Sequence, residues 1–344
     1  MDKTRTLLVR ISLMLFVAVL AQGAEAQSTA PADDAPRHRV WLDVDAANGI
    51  GEIDDGLALI QAFHSPELDI AGISSVFGNA PLDRAHPIAL NISRVFGPEG
   101  VTLHRGAGSD EQRGAPSDAV AGMARALKRG PMSILALGPV TNVATLLERH
   151  PELTDRIEQI IVVAGRREGQ RFVSTLGQPR PFRDFNFELD PEAMGVLLQS
   201  DVPLVMAPWE VSSHVWLTRD DLTRLERSGG SGLFIAATSQ HWIDMWEQKL
   251  NAPGFNPFDT LAVGYLTHPE LIEGMPVTVA IENGPSDLPG EKGENKPYLV
   301  ARPTDKTDTR ILYLHTPEPA FKDILLRRLA GPNDTAINPS KDKP

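Results

Sequence analysis

Carboxylate and amide side chains recur directly after short apolar segments of this 344-residue chain. The densest group is acidic: Asp43 and Asp45 end one apolar run, and the pair Asp54-Asp55 follows after eight further residues. The other members of the set lie downstream and are Asn79, Asp184, Asn186 and Asp259. Oxygen ligands without His or Cys suit calcium or magnesium better than zinc. Because several carboxylates in one crevice repel each other, the pattern indicates a site for a hard cation, a hydroxyl-rich ligand, or both.

Alternating strands and helices must position these side chains. Strands are predicted at Val40–Asp45, Ile70–Val76, Ser133–Leu137, Gln159–Ala164 and Pro203–Ala207, with later strand-like runs at Val277–Ile281 and Ile311–Leu314. Helices are predicted at Asp55–Phe63, Leu82–Phe96, Asp118–Lys128, Val140–Arg149, Pro191–Gln199, Leu233–Lys249 and near Phe321–Leu329. This order predicts an α/β fold with a mostly parallel, Rossmann-like open sheet and helices on both faces. Ligands of such sheets bind at the carboxyl ends of the strands, where the polar set would converge.

The composition of the chain narrows the classes of partner. A formal net charge of -12 argues against nucleic acid, because binding to a phosphate backbone needs clustered Lys and Arg. A hydrophobic fraction of 42% is enough for a substantial core. The chain has no cysteine, which excludes a disulfide framework and thiolate chemistry. We therefore expect a cation or a small polar metabolite, rather than nucleic acid, as the partner.

The first 26 residues are typical of a secretory signal peptide. A positive segment containing Lys3 and Arg10 precedes the apolar run Ile11–Ala21, and Ala24 and Ala26 form a small-residue cleavage pattern. The run is shorter than the roughly 20 residues of an ordinary transmembrane span, although an uncleaved anchor is the alternative. We expect a periplasmic or secreted mature protein with no stable membrane association after cleavage.

Polar segments border the expected domain. Residues 27–38 are rich in Pro and Ala and are predicted to be a linker, and residues 331–344 are predicted to be a disordered tail. The single domain is therefore placed at residues 39–330.

Several members of the polar set also have a structural interpretation. Asp54 or Asp259 could cap the helix that follows it, and Asn79 could be a turn residue. Asp190, followed by Pro191, is interpreted as a helix N-cap with proline at the first helical position. What favours a site is that every member of the set falls in a predicted loop at the carboxyl edge of the sheet.

With these motifs the chain resembles the inosine-uridine preferring nucleoside hydrolase family. The resemblance covers roughly residues 39–330 and rests on five separated motifs in family order. The motifs are Asp43-x-Asp45 with Asp54-Asp55-x-x-Ala-Leu, Val76-x-Gly-Asn79, Ala136-Leu-Gly-Pro-x-Thr-Asn-Val-Ala144, Asp184-Phe-Asn186 followed by Asp190-Pro-Glu-Ala193, and Phe258-Asp259. The resemblance implies the nucleoside hydrolase fold, a ribonucleoside as the small-molecule substrate, Ca²⁺ as the cofactor, and a homodimer or homotetramer.

The resemblance also implies a role for each matching residue. Asp45 matches the catalytic carboxylate that ligates calcium and accepts a proton from the water there. The remaining metal ligands would be Asp55, the backbone carbonyl of Leu137, and Asp259. Asp54 matches the group that binds the ribose 2′-hydroxyl. The positions that match ribose-orienting residues are Asn79, Asp184 and Asn186, with Asp184 standing where the family usually has Glu.

This residue set suits hydrolysis of an N-glycosidic bond. Attack by water on the sugar passes through an oxocarbenium-like state, as in other glycoside hydrolyses. A cation that holds water and sugar hydroxyls together adds positioning and acidifies the water. Carboxylates around the ring favour the positive charge that develops at the anomeric carbon.

The chain departs from the family pattern on the side of the leaving base. Phe258 stands where family members that cleave inosine and uridine carry a His that protonates the base. Other members have an aromatic residue there and stack a purine, so the substitution favours purine nucleosides. Trp242 and Trp246, four residues apart on one helix, are predicted to form that stacking surface, with core packing as the alternative. His241 is a possible substitute acid.

Two loops also depart from the family pattern. Eight residues separate Asp45 from Asp54, where the common form has three, and the longer loop brings Glu52 within reach of the site, although a solvated Glu52 is the favoured interpretation. The insertion Arg166–Arg183 obscures which residue replaces the family's Asn at the 5′-hydroxyl.

Two alternatives to a hydrolase stay open at this level. The first is a non-catalytic, calcium-dependent nucleoside- or ribose-binding protein, because no acid for the base is visible. The second is a phosphatase that uses Asp43-Val44-Asp45, which would leave Asn79 and Asp184-Phe185-Asn186 unexplained.

Overall fold

The computed structural model describes residues 37–173, 181–306 and 308–332. Its strands are β1 (His38–Val44), β2 (Leu68–Ser75), β3 (Leu103–Arg105), β4 (Met132–Ala136), β5 (Ile157–Val162), β6 (Arg166–Arg167), β7 (Leu204–Met206), β8 (Ile272–Pro285), β9 (Asn295–Pro303) and β10 (Ile311–Pro317). Its helices are α1 (Asp54–Phe63), α2 (Leu82–Phe96), α3 (Asp118–Arg129), α4 (Thr141–Arg149), α5 (Phe185–Leu189), α6 (Pro191–Gln199), α7 (Trp209–Ser212), α8 (Arg219–Ser228), α9 (Gly230–Thr238), α10 (Gln240–Leu250), α11 (Thr260–Thr267) and α12 (Ala320–Ala330).

The strands of the described residues form one ten-stranded sheet in the order β3-β2-β1-β4-β5-β7-β10-β8-β9-β6. The first seven strands in this order, from β3 to β10, are parallel to one another, and β8 pairs antiparallel with both β10 and β9. After β1 the chain builds β2 and β3 on one side and β4 on the other. The order therefore reverses between β1 and β4, which is where doubly wound sheets bind their ligands.

Both faces of the sheet are covered by helices. In β1, Val40 and Leu42 belong to a buried cluster that contains residues of α1, α11 and α12, whereas Trp41 belongs to a cluster built from α3 and α4. Successive strand residues point to opposite faces, so this division separates two helical layers. The predicted α/β class, the mostly parallel sheet and the helices on both faces are confirmed.

The predicted elements agree with the structure for most of the chain. The helices Leu82–Phe96 and Pro191–Gln199 are observed with the predicted bounds, and most others differ by one or two residues. The prediction of one helix at Leu233–Lys249 is wrong, because α9 ends at Thr238 and α10 begins at Gln240. At the break, the Ser239 hydroxyl donates to the carbonyl of Ile235 at 2.6 Å and competes with the helical hydrogen bonds.

The terminal predictions are only partly within the described residues. The predicted linker extends too far, since His38 already belongs to β1 and its amide donates to Glu67 O at 2.8 Å. The predicted signal peptide at 1–26, the linker up to residue 36 and the tail from 333 lie outside the described residues. Across the described ranges, no helix is both long enough and apolar enough to cross a bilayer.

Candidate active site

Asp45, Asp55 and Asn79 meet where β1 and β2 end. The backbone amide of Asp45 donates to Asp55 Oδ1 at 2.9 Å, and the backbone amide of Asn79 donates to Asp45 Oδ2 at 2.7 Å. The side-chain amide of Asn79 lies 3.4 Å from both Asp45 Oδ1 and Asp55 Oδ2. The first strand, the second strand and helix α1 thus present these three predicted site residues as one hydrogen-bonded unit.

A second acidic group joins the start of α1 to the start of α11. One carboxylate oxygen from each of Asp54, Asp55 and Asp259 lies within 4.8 Å of the others, and all three residues are buried. Asp54 Oδ1 and Asp259 Oδ2 have no hydrogen-bond partner. Neither residue caps a helix through its side chain, because α1 follows Ile53 and the N-cap Asp259 of α11 makes no capping bond. The capping interpretation of these two residues is therefore not supported.

The electrostatics of this group are unfavourable in the protein alone. Burial, and after it the charge of neighbouring carboxylates, raises the pKa values of Asp45, Asp54 and Asp259 well above their usual range. Buried oxygens without partners, arranged within coordination range of one another, fit a hard cation with oxygen ligands. The donor set therefore suits a metal ion.

Asp43 supports this edge from inside β1. Its Oδ1 accepts hydrogen bonds from Ser74 Oγ and from Asn142 Nδ2, the latter at 2.9 Å. Burial raises the pKa of Asp43 to about 6, although these two hydrogen bonds lower it. Asp43 does not line the cleft, so its contacts place it behind Asp45 rather than beside a ligand.

The longer loop after Asp45 does bring Glu52 to the site. Gly49 has a positive φ of 83°, and the Ala47 carbonyl accepts from the amides of Ile50 and Gly51, both at 2.9 Å, so the loop turns back on itself. Glu52 is half-buried and lines the cleft beside Asp54. Burial first, and then the charge of Asp55, raises the pKa of Glu52 to about 8.

His241 lies on the outer side of the same loop. The side chain is exposed, and its Nε2 is 2.8 Å from the carbonyl oxygen of Gly51. It is not among the residues that line the cleft. The structure therefore does not favour His241 as the substitute acid.

Asn186 and Asp184 lie at the start of α5 and line the cleft. Asn186 Nδ2 donates to the carbonyls of Leu137 at 2.6 Å and Val163 at 3.2 Å, so the carbonyl predicted to bind metal keeps one lone pair free. Asp184 Oδ2 accepts from the Gly165 amide at 2.8 Å. Burial raises the pKa of Asp184 to about 7, although the charge of Arg166 opposes the shift.

Asp190 takes the structural role predicted for it. Its Oδ1 accepts from the amide of Ala193 at 2.9 Å, Pro191 occupies the first turn of α6, and Oδ2 accepts from Thr141 Oγ1 at 2.7 Å. The N-cap interpretation is confirmed.

These residues surround a cleft of about 720 Å³ whose sides are aromatic. One side is the 242–258 wall, formed by Trp242, Trp246 and Phe258. The ring centroid of Trp246 lies 6.3 Å from that of Trp242 and 6.2 Å from that of Phe258. Trp246 is buried and lines the cleft, so it belongs both to the predicted stacking surface and to the core. The lining also includes the polar residues Glu52, Asp54 and Asn79, which are called the floor below. The cleft can hold a flat ring against an apolar side while polar groups engage hydroxyls at its floor.

A second aromatic part of the cleft lining was not predicted. It is the 172–209 wall, formed by Phe172, Phe182 and Trp209, with ring centroids 5.6 to 6.1 Å apart. The first two residues come from the insertion Arg166–Arg183, where the sequence has no periodic pattern. Trp209 did carry a signal, because it lies two residues beyond the predicted strand Pro203–Ala207, at the carboxyl edge.

Comparison with known proteins agrees with the motifs. The family model described as inosine-uridine preferring nucleoside hydrolase matches residues 40–308. The pyrimidine-specific ribonucleoside hydrolase RihA of Citrobacter koseri is 28% identical over 306 residues, covering 80% of this chain and 95% of the relative. The non-specific ribonucleoside hydrolase RihC of Escherichia coli is 29% identical over 271 residues, covering 71% of this chain and 83% of the relative.

Solved structures are similar over most of the chain. A plant nucleoside hydrolase, PpNRh1, superposes with a TM-score of 0.70 at 22% identity and covers 86% of this chain and 100% of its own. A purine-preferring ribonucleoside hydrolase from Gardnerella vaginalis gives a TM-score of 0.69 at 21% identity, covering 85% of this chain and 98% of its own. At these identities the likeness supports the fold alone.

Proposed function

Because the chain belongs to the inosine-uridine preferring nucleoside hydrolase family, as its motifs suggested, we propose that it hydrolyses ribonucleosides to free base and ribose in a calcium-dependent reaction. The observation that carries the proposal is the buried group Asp54, Asp55 and Asp259, of which Asp54 lines an aromatic cleft. Membership implies cleavage of the N-glycosidic bond, and this floor offers the oxygen groups that the reaction needs.

The residues that would hold calcium are Asp45, Asp55, Asp259 and the carbonyl of Leu137. Their support is the donor chemistry: Asp259 Oδ2 is buried without a partner, and the Leu137 carbonyl has a lone pair left beyond Asn186. Bound calcium would supply charge that acidifies water and would hold sugar hydroxyls and water together. Asp54 differs from the other carboxylates of the group because it lines the cleft. We therefore assign Asp54 to the ribose 2′-hydroxyl.

Asp45 is proposed as the catalytic base. The backbone amide of Asn79 donates to Asp45 Oδ2 at 2.7 Å, which fixes the orientation of the carboxylate where β1 and β2 end. In this place Asp45 can accept the proton of the water that adds to the anomeric carbon. Asn79, Asp184 and Asn186 would orient the ribose through their amide and carboxylate groups, and the surrounding negative charge favours the oxocarbenium-like state.

The base side of the cleft supports a purine leaving group. The curated relatives named above differ in specificity, so base preference must be argued from the cleft itself. Phe258 and Trp242 offer ring surface for stacking, and the larger face of a purine gains more from it than a pyrimidine does. We propose that Trp242, Trp246 and Phe258 bind the base and that purine ribonucleosides are preferred.

One observation favours the alternative of a non-catalytic nucleoside- or ribose-binding protein. The 242–258 wall is made of Trp and Phe side chains, and the indole nitrogen of Trp246 is buried without a partner. No side chain of this wall can protonate a departing base. A protein with this cleft could therefore bind a nucleoside with calcium and still leave the glycosidic bond intact.

Incubation of the purified protein with calcium and a panel of nucleosides separates the two functions, with reducing sugar as the readout. We expect release of ribose from adenosine and inosine, with higher kcat/KM than from uridine and cytidine. We expect EDTA, or the variant Asp45→Ala, to abolish release. Asp69→Asn serves as a matched control, because Asp69 is exposed on β2 and makes no ion pair among the described residues.

Binding of calcium and nucleoside without any release of sugar would overturn the hydrolase and leave the binding protein. Release that survives both EDTA and Asp45→Ala would instead overturn the calcium-dependent mechanism while leaving the hydrolase intact.

We also propose that the mature protein is periplasmic or secreted and forms a homodimer or homotetramer. The first proposal rests on the signal-peptide pattern of residues 1–26, and the second on family resemblance. Cell fractionation with amino-terminal sequencing tests the first, with a mature start near Gln27 expected. Sedimentation analysis tests the second, and a monomer at micromolar concentration would contradict it.

A further inference from the structure

The 172–209 wall forms the side of the cleft that the proposed reaction leaves unused. Phe172, Phe182 and Trp209 contact one another, and the other lining residues of this side include Pro181 and Leu288. Within the described residues, no ring pair links this wall to the 242–258 wall. The lining of the cleft therefore contains two separate aromatic groups in addition to the polar residues Asp54 and Asn79.

The 172–209 wall is held in place by buried charge. The Arg166 guanidinium carbon lies 4.3 Å from the ring centroid of Phe172, and its Nη1 donates to Asp287 Oδ2 at 2.8 Å. Arg166 is buried, so this contact fixes the Phe172 ring from behind. The amide of Phe182 donates to the Phe172 carbonyl at 3.2 Å, which fastens the second ring to the first. The wall is therefore preorganised, as a ligand-binding surface needs to be.

The shape of a ribose assigns an occupant to this wall. The 2′,3′-diol lies on one edge of the furanose ring, and the base at C1′ and the 5′-carbon at C4′ leave from opposite ends of the other edge. When the diol faces the acidic floor and the base stacks on the 242–258 wall, the 5′ substituent is directed to the remaining side. We propose that the 172–209 wall binds an apolar 5′ substituent, so that preferred substrates are nucleosides whose 5′-hydroxyl is replaced by hydrogen or an alkylthio group.

The polarity of the wall argues against a free 5′-hydroxyl. Its rings present carbon atoms, since the Trp209 indole nitrogen is buried. Asp184, which lines the cleft two residues after Phe182, already uses Oδ2 to accept from the Gly165 amide. A hydroxyl directed at such a surface loses hydrogen bonds to water without replacing them, whereas an apolar group gains by leaving water.

A 5′-phosphate is excluded by charge. Arg183 is the only cationic residue among the described residues that line the cleft, and it forms ion pairs with Glu188 and Glu291. The floor is acidic, so a phosphate dianion would meet repulsion from Asp54 and Glu52, and no free cation among the described lining residues offsets it.

The inference rests on the proposed function and changes none of its chemistry. Water adds to C1′ and loses a proton to Asp45, which later releases it to solvent. The bond from C1′ to the base nitrogen breaks, and the base leaves with the bonding pair and takes a proton from solvent. The 5′ substituent takes no part in these steps, so it acts only through binding.

Steady-state kinetics with adenosine, its 5′-deoxy and 5′-methylthio analogues and its 5′-monophosphate test the inference. We expect kcat/KM for the 5′-methylthio analogue to exceed that for adenosine about tenfold, the effect of one apolar group in a hydrophobic pocket. The monophosphate should not be cleaved. Phe182→Ala should lower the ratio of the two kcat/KM values about tenfold. Trp242→Ala, in the other wall, and Phe96→Ala, on α2 outside the cleft, should leave that ratio unchanged.

The outcomes separate the inference from the function beneath it. Cleavage of adenosine at least as efficient as that of both analogues would overturn the inference alone. A ratio that falls in Trp242→Ala but not in Phe182→Ala would also overturn it, because the two walls would then have exchanged roles. Failure to cleave any of the four compounds would overturn the proposed function instead. The wild-type comparison stands even if Phe182→Ala does not fold.

Discussion

Asp54 and Asp55 are adjacent in sequence but differ in their contacts. Asp55 is fully buried and accepts from the amide of Asp45, whereas Asp54 lines the cleft and has a buried Oδ1 without a partner. Sequence spacing alone could not separate a metal ligand from a sugar contact in such a pair. The difference in contacts supports the division of labour that family resemblance implied.

Substitution of the two residues should therefore have different effects. We expect Asp55→Asn to weaken calcium binding on the order of tenfold, because it removes one charged ligand. Asp54→Asn should raise KM for adenosine while changing the calcium Kd much less. Calorimetric titration of calcium, with steady-state kinetics at saturating calcium, measures both. Equal losses of calcium affinity in the two variants would make Asp54 a metal ligand as well.

Asp184 makes the stability of the protein depend on pH. Burial raises its pKa from 3.8 to about 7 in the folded protein. Between these values the unfolded chain has released the proton that the folded protein keeps, so stability falls as the pH rises and levels off above about 7. Asp184→Asn removes this dependence, because an amide does not titrate.

The expected size of this effect is large enough to measure. In EDTA, Asp184→Asn should gain about 2–3 kcal/mol of unfolding free energy relative to the wild type between pH 5 and pH 7. Urea denaturation at the two pH values, with Asp69→Asn as the control, gives the difference. A difference that does not change with pH would mean that Asp184 ionises normally.

At the scale of elements, the turn between β2 and α2 holds Asp45 in position. Gly78 has a φ of 156°, and a Cβ at this position would overlap the Asp45 carboxylate. The neighbouring amide of Asn79 is the one that binds Asp45 Oδ2. The glycine therefore allows the backbone of this turn to approach the carboxylate closely.

Gly78→Ala should accordingly abolish most of the activity. We expect kcat/KM to fall about a hundredfold or more, the effect of displacing a positioned catalytic group by about 1 Å. Gly290→Ala is the matched control, since Gly290 has open space around its Cβ position and no positive φ. Calcium affinity should fall with activity, because Asp45 serves both. Normal kinetics in Gly78→Ala would contradict the proposed place of Asp45.

Most strands and helices, and the polar residues that follow the strands, can be predicted from the sequence. Apolar runs such as Val40–Asp45 predict strands because both faces of a parallel sheet are buried. Ligands of such sheets bind at the carboxyl ends of the strands, so the polar residues that follow each strand are predicted to form the site. The break at Ser239 was missed, because the amphipathic pattern continues through it. The 172–209 wall was missed since it depends on an insertion held by Arg166 and Asp287, a contact between residues far apart in sequence.

At the scale of the whole molecule, the acidic site joins segments that lie about 200 residues apart in the sequence. Asp45 follows β1, Asp55 lies in α1 and Asp259 precedes α11, and residues of these elements share one buried core cluster. A cation bound between them would oppose global unfolding rather than a local opening. In its absence, the mutual repulsion of the buried carboxylates weakens the same core.

Calcium should therefore stabilise the entire domain against denaturant. At a free concentration of about one hundred times Kd, the free energy of unfolding should rise by about 2.7 kcal/mol, and magnesium at the same concentration should raise it less, since magnesium gives up its water reluctantly.

The difference in unfolding free energy between Asp259→Asn and wild type should have opposite signs in EDTA and in excess calcium. In EDTA the variant loses repulsion and should be more stable by about 0.5–2 kcal/mol, whereas in excess calcium it lacks a ligand and should be less stable. Urea denaturation monitored by tryptophan fluorescence measures the stability of wild type and variant, each in EDTA and in excess calcium. A variant less stable than wild type in both conditions would show that Asp259 stabilises the fold by contacts other than those with a cation.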